Sequence, residues 1–414
     1  MIATPRVVIT GLGMLCPVGI GVTSSWHALL AGRSGVARIT HFDPAPYPIQ
    51  IAGEVKGFDP RGLAEPKDLR RMDRATRLAL AAAKEALESA GLAHQDLEPE
   101  RTGIVIGSAA GGFQTMLDQH QVLLERGSKR LSPFFIQHML NDSPAGQVAI
   151  SLGLQGPNMA VVSACATGTQ AIGEAAHIIR RGDAEVMLAG GTDSPIHPLI
   201  LGGFTVMRAL AGNNELPERA SCPFTLGRDG FVLSEGGAVV VLELLERARA
   251  RGATIYAEVA GSAATNDAYD MAAIPEDGAM QALCMRRAVA RAGLQPDDVD
   301  YVNAHGTSTP LNDRIETQAL KTVFGDHAYR MAVSSTKSMT GHMMGASGAV
   351  EAIICALALH HGVLPPTINY DQPDPACDLD YVPNVKRAVP IRVALSNSFG
   401  LGGHNATLVL RTPE

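Results

Sequence analysis

Short apolar, β-branched runs alternate with helical stretches along the whole chain. RVVITGLG (6–13) predicts a strand and turn, and RATRLALAAAKEALESAG (74–91) has helical spacing closed by glycine. RTGIVIGSAAGG (101–112) predicts a strand and a Gly-rich turn, and NMAVVSACATGTQAIGEAAHIIRRG (158–182) a strand, turn and helix. AEVMLAGG (184–191) and GGAVVVLELLERARARG (236–252) predict two more strands, the second with a polar exit. Runs this apolar belong to strands buried on both faces, as in layered α/β proteins.

The rhythm then repeats. TIYAEVAGSA predicts a strand, AMQALCMRRAVARAG (279–293) a helix, and DYVNAHGTST (300–309) a strand and turn. MAVSSTKSMTGHMMGASGAVEAIICALALHHG (331–362) predicts a strand, Gly-rich turn and helix, and RVALSNSFGLGGHNATLVL (392–410) two strands joined by a glycine loop. MAVVSACATGTQAIGEAAHI and MAVSSTKSMTGHMMGASGAVEAI both pass from a β-branched run through small residues into a helix. This internal likeness predicts two similar halves, 1–255 and 256–414.

Composition narrows the class. The chain has 414 residues, 46% hydrophobic and 18% charged, with 43 glycines, which suits close packing of strands and helices around a large core. The net charge of −7 offers no basic excess for nucleic acid. Six scattered cysteines without a C-x-x-C pair fit a reduced compartment. MIATPRVVITGLGM lacks the pattern of a secretory signal, so a cytoplasmic location is expected. AVEAIICALAL contains Glu351 and is expected to be a buried helix too short for a bilayer, so no membrane is expected.

Candidate chemistry gathers in turns that follow apolar runs, where α/β sheets form their sites. GLGMLC (11–16) has two glycines of a dinucleotide fingerprint but not the third, and reads as a structural turn. Cys165 lies among small residues where a helix starts, and the N–H groups and dipole of that helix would favour thiolate. It is also an ordinary core filler by residue type. His305 (NAHGTSTP) and His342 (STKSMTGHMMG) occupy two further turns, and His404 a third (LGGHN). His360 and His361 read as a helix C-terminal cap. One cysteine and two histidines could also bind zinc, though without the paired spacing of structural sites.

Taken together, VVITGLGMLCPVG, SACATG, GRDGFVLSEGGAVVVLE, VNAHGTSTPLND, SSTKSMTGHMMGASGAVEA and SNSFGLGGHN resemble the β-ketoacyl-[acyl carrier protein] synthases. These are condensing enzymes of the thiolase superfamily, and the likeness is greatest to the synthase II class. The resemblance implies an α/β fold, a thiolase-like duplicated five-layer αβαβα sandwich, and a homodimer. It implies decarboxylative condensation of an acyl-Cys165 enzyme with malonyl-[acyl carrier protein] in fatty acid biosynthesis, or in a discrete polyketide pathway. Cys165 matches the nucleophile, His305 and His342 the catalytic histidines, and Lys337 and Glu351 a supporting charged pair. Backbone N–H groups of Cys165 and Leu401 match an oxyanion hole. Thr307 and Thr309 match pantetheine contacts. A degradative thiolase would need a second cysteine in SNSFGLGGHN, and a silent chain-length partner would lack Cys165.

The resemblance implies no metal and no cofactor, since the substrates carry their own phosphopantetheine. Two positions depart from the family. Leu401 stands where the family has a phenylalanine gate, with Phe399 retained, and a smaller gate would loosen control of loading. Ala110 replaces a bulkier acyl-pocket residue, so long acyl chains are expected. An acidic carrier protein meeting an acidic enzyme needs a local basic patch. The expected patch is Lys67, Arg70, Arg71, Arg74 and Arg77, joined by Lys129, Arg130 and Arg208.

Overall fold

The computed structural model describes residues 5–413. Ten principal strands form one mixed sheet, completed by the two-residue strand Gly19–Ile20 on its first member. The first half supplies β1 (Val7–Cys16), β2 (Thr102–Gly107), β3 (Asn158–Met159), β4 (Val186–Asp193) and β5 (Gly236–Leu244), in the spatial order β3-β2-β4-β5-β1. The second supplies β6 (Ala257–Asn266), β7 (Tyr301–Asn303), β8 (Ala332–Ser334), β9 (Val393–Gly400) and β10 (His404–Arg411), in the order β8-β7-β9-β10-β6.

The two orders correspond strand for strand, and so do the directions. The β2/β3 and β2/β4 pairs are parallel, as are β7/β8 and β7/β9; β4/β5 and β9/β10 are antiparallel. The halves meet where β1 pairs antiparallel with β6 at Val8–Glu258 and Ile9–Ala257. Glu258, 3% exposed, secures that seam by accepting from Arg6 of the first half and Arg411 of the second.

Helices α1 (Arg74–Ser89), α2 (Thr167–Arg181), α3 (Ala279–Arg291), α4 (Pro310–Phe324) and α5 (Ser347–His361) complete five layers. Helix α1 covers the outer face of the first sheet half, and α3 and α4 that of the second. Helices α2 and α5 lie between and touch both. Strand alternation accounts for this: Ala238, Val240 and Leu242 of β5 face the central helices, while Val239 and Val241 face α1. With both faces covered, the strands lose the polar alternation of a solvated sheet.

Three expectations need correction. Gly11 and Gly13 are not a turn but lie inside β1, paired with Val241 and Val239, and a Cβ there would stand 2.1 Å from the Ala86 carbonyl oxygen and 1.9 Å from that of Ala82. Their absence of side chain lets α1 rest directly on the strand. The run before Cys165 is a strand only at Asn158–Met159; β3 is a sheet edge, and Val161–Ser163 leave the ladder to approach the helix. Finally, Met344–His361 spans 18 residues and is long and apolar enough to cross a bilayer, yet 89% of it is buried inside the protein. Its apolarity is matched by packing between two sheet layers. His360 and His361 do close α5, before the left-handed Gly362.

The central helices touch at their first turns. A Cβ on Gly348 would lie 2.1 Å from Thr169 Oγ1 and 2.7 Å from the Thr169 backbone nitrogen. Gly146, in the helix Ser143–Leu152, has open space around its missing Cβ. Gly348→Ala is expected to lower stability by about 2–3 kcal/mol, whereas Gly146→Ala raises it by about 0.5–1 kcal/mol. Denaturant midpoints check both signs; equal effects would contradict the close helix crossing.

Candidate active site

Cys165 sits in a single 3-10 turn, Ala164–Ala166, that runs straight into α2. Ala164 adopts φ +49°, a strained left-handed conformation for a residue with a Cβ. The same construction precedes α5, where Met344 has φ +50° in the turn Met344–Ala346. The position equivalent to Cys165 in that second turn is Gly345. Asp193, at the end of β4, ties the second of these turns to the loop that follows β2. It accepts from Ser108 Oγ (2.6 Å) and from the backbone N–H groups of Ala109 (3.0 Å), Ala110 (2.9 Å) and Gly345 (2.7 Å). Burial raises its carboxyl to about 6 against these four donors.

A cavity of about 490 Å³ opens onto Cys165 and is lined by His305, His342, Thr307, Thr309, Phe399 and Leu401, among others. His305 follows β7. Its backbone N–H and that of Gly306 donate to the carboxylate of Glu316 on α4, at 2.9 and 2.8 Å. His342 is held by a short ladder to residues 232–234: its N–H donates to the Val232 carbonyl, and its carbonyl accepts from Ser234 N–H. The imidazole rings stand 5.4 Å apart, edge to face. Phe399 packs on His305 at 5.7 Å and Phe231 on His342 at 5.3 Å.

Lys337 and Glu351, both about 1% exposed, form an ion pair beneath this cavity. Burial pushes the Glu351 carboxyl up to about 7 despite its partner. Burial, reinforced by the Lys337 cation, drives His305 and His342 well below the ordinary imidazole value, so both are neutral near pH 7. His342 Nδ1 lies 3.0 Å from Ser347 Oγ, which also accepts from Met343 N–H at 2.9 Å. A Ser347 hydroxyl donating to Nδ1 is the arrangement that leaves the His342 proton on Nε2.

The thiolate expected from the helix start is not the resting form. Burial raises the Cys165 thiol to about 11, outweighing the Leu401 N–H, the Lys337 cation and the Cys165 N–H, all of which favour the anion. The two N–H groups matched to the oxyanion hole therefore converge on the sulfur.

The remaining expected residues divide. Arg208 is exposed and lines the cavity. Leu401 is 36% exposed, whereas Phe399 is buried. Ala110 lies outside the lining of this cavity, and its backbone N–H donates to Asp193. Arg74 is withdrawn from the basic patch because its guanidinium grips Glu235 (2.6 and 2.7 Å) and the Val55 carbonyl. Arg77 likewise donates to the Leu69 carbonyl. Lys67, Arg70, Lys129 and Arg130 are exposed; Arg71 is exposed too, and lies over the Phe134 ring. None of these five lines the cavity. His404 opens β10 and also lies outside the lining.

Sequence reasoning missed Asp193, Phe231, Glu316 and Ser347. Glu316 had a signal, since it interrupts the inward stripe Ile315, Ala319, Leu320 and Val323 of α4.

A thiol near 11 predicts that alkylation of Cys165 in the free enzyme accelerates about tenfold per pH unit from pH 7 to 9, without a plateau. Lys337→Met removes a cation that lowers the thiol, so alkylation at fixed pH slows. It also strands buried Glu351, at a stability loss of about 3–5 kcal/mol. A plateau near pH 8, or faster alkylation of the variant, would contradict this electrostatic reading.

Comparison with known proteins converges on one family. The Beta-ketoacyl synthase N-terminal domain model matches residues 4–248, and the C-terminal domain model residues 256–371. The chain is 49% identical over 405 residues to a 3-oxoacyl-[acyl-carrier-protein] synthase 2 of Coxiella burnetii, covering 98% of each chain. It is 48% identical over 409 residues to the protein of that name in Staphylococcus aureus strain N315, covering 99% of each. Among solved structures, a type II polyketide ketosynthase in complex with its acyl-carrier protein, bound to the hexaketide, matches with a TM-score of 0.91. Its identity is 35%, over 99% of this chain and 100% of that one. With its cysteine turn, two neutral histidines and buried lysine on a duplicated αβαβα frame, the chain belongs to the β-ketoacyl synthase family.

Proposed function

We propose that the protein is a β-ketoacyl-[acyl carrier protein] synthase that elongates acyl chains in fatty acid biosynthesis. The observation that carries this reading is the convergence on one cavity of a buried thiol, two N–H groups aimed at its sulfur, and two neutral imidazoles. The near half identity to the two synthase 2 relatives, against 35% to the polyketide ketosynthase, favours the fatty acid pathway.

In this reading Cys165 sulfur attacks the thioester carbonyl of an acyl carrier protein. A carbon–sulfur bond forms, the carrier's carbon–sulfur bond breaks, and the thiol proton leaves with the carrier sulfur. Malonyl carrier protein then loses its carboxylate as CO₂, and the electron pair of that bond becomes an enolate. Neutral His305 and His342 donate to the enolate oxygen; charged imidazoles would also do so, but would protonate the carbanion. The carbanion attacks the acyl carbonyl, and the N–H groups of Cys165 and Leu401 receive the tetrahedral oxyanion, each contributing about 3 kcal/mol. Collapse expels Cys165 sulfur and releases a chain longer by two carbons. Lys337 and Glu351 position and polarise; the scheme calls on no metal and no redox cofactor.

We place Thr307 and Thr309, whose hydroxyls lie 3.0 Å apart on the cavity wall, beside the pantetheine arm. Lys67, Arg70, Arg71, Lys129, Arg130 and Arg208 would meet an acidic carrier protein. A cytoplasmic homodimer is the expected form.

Mass spectrometry of the intact protein tests this directly. Acyl carrier thioesters of increasing chain length should add one acyl mass at Cys165, lost in Cys165→Ala. Addition of malonyl carrier protein should clear the adduct and yield a product two carbons longer. No adduct with any chain length would overturn the enzyme reading. Repeated extension to an unreduced poly-β-keto chain would instead assign the protein to polyketide synthesis.

A further inference from the structure

The cavity has a polar shoulder that the condensation chemistry leaves unused. Gln281 lies in α3, whose inward stripe is otherwise apolar: Ala282, Cys284, Met285, Ala288 and Val289 are all buried. Helical spacing (281, 285, 288) puts Gln281 on that stripe, where the pattern calls for an apolar side chain. It is 1% exposed, it lines the cavity, and neither its Oε1 nor its Nε2 finds a partner among the described residues. Asn312, in the first turn of α4, lines the same cavity and is 3% exposed. Its Nδ2 donates to Asp313 at 3.1 Å, but its Oδ1 has no partner among the described residues.

Buried carboxamides are disfavoured unless their hydrogen bonds are met. Two of them left incomplete in the lining of one cavity, beside Thr307 and Thr309, mark a surface completed by a ligand. A carboxamide offers a donor and an acceptor side by side, the complement of a secondary amide. The pantetheine arm carries two secondary amides between its phosphate and its thiol. We infer that Gln281 and Asn312 form an amide-reading subsite for that arm. Gln281 Nε2 donates to an amide carbonyl, and Asn312 Oδ1 accepts from an amide N–H. This rests on the carrier-thioester reading above, and it assigns Gln281 a role in substrate recognition rather than in bond making.

The test compares three thioesters of one acyl group: pantetheine, with two amides; N-acetylcysteamine, with one; and butanethiol, with none. Acylation of Cys165 is followed by mass spectrometry in the wild type, Gln281→Met and Gln281→Leu, both close in size to glutamine. The readout is each variant's own preference for amide-bearing over amide-free thioester, which is independent of how much enzyme is folded. The variants should raise KM for the pantetheine thioester about tenfold, with kcat unchanged within about twofold. The butanethiol thioester should react as it does with the wild type. Equal losses on all three thioesters, or no loss on any, would overturn the subsite while leaving the enzyme reading intact. Failure of the wild type to be acylated by any of them would overturn both.

Discussion

The site depends on one constraint: a lysine cation buried with its glutamate between two sheet layers. Lys337 and Glu351 have almost no solvent, so their charges are screened only by the protein. Burial by itself pushes His305, His342 and Cys165 toward their neutral forms, and the Lys337 field acts on all three in addition. It opposes a second positive charge on either ring, and it favours negative charge at the sulfur. One cation thus keeps two donors neutral and eases the step in which sulfur becomes anionic. The pair itself depends on the five-layer frame, since α5, packed between two sheet layers, carries Glu351 into the interior.

The frame is nearly symmetric, and the chemistry is where the symmetry breaks. Both halves present a strained 3-10 turn at the N-terminus of a central helix. One turn holds Cys165; the other holds Gly345, whose N–H is spent on Asp193. Asp193 belongs to the first half and binds a turn of the second, so it joins the loop after β2 to the turn that follows His342. The close approach of the central helices at Gly348 serves the same registration.

Much of this was legible in the sequence. Apolar runs located the strands, the internal likeness announced the repeat, and three Gly-rich turns carried Cys165, His305 and His342. What escaped was set by tertiary contact. Gly11 and Gly13 look like turn residues but serve a helix lying on a strand. Cys165 looks like a thiolate from its helix start, yet burial dominates the dipole. Arg74 looks like part of a surface patch, but Glu235 lies 161 residues away and claims it. Asp193 carries no local signature, because Ser108, Ala109, Ala110 and Gly345 are brought to it only by folding. Gln281 was hidden in a helix whose composition reads as ordinary core.

The central claim is that both histidines act as neutral donors. Nitrogen-15 NMR of histidine-labelled protein, titrated from pH 8 to pH 5, tests it most directly. The account predicts that His305 and His342 stay neutral throughout, with His342 protonated on Nε2. Titration of either ring near 6.5 would contradict it.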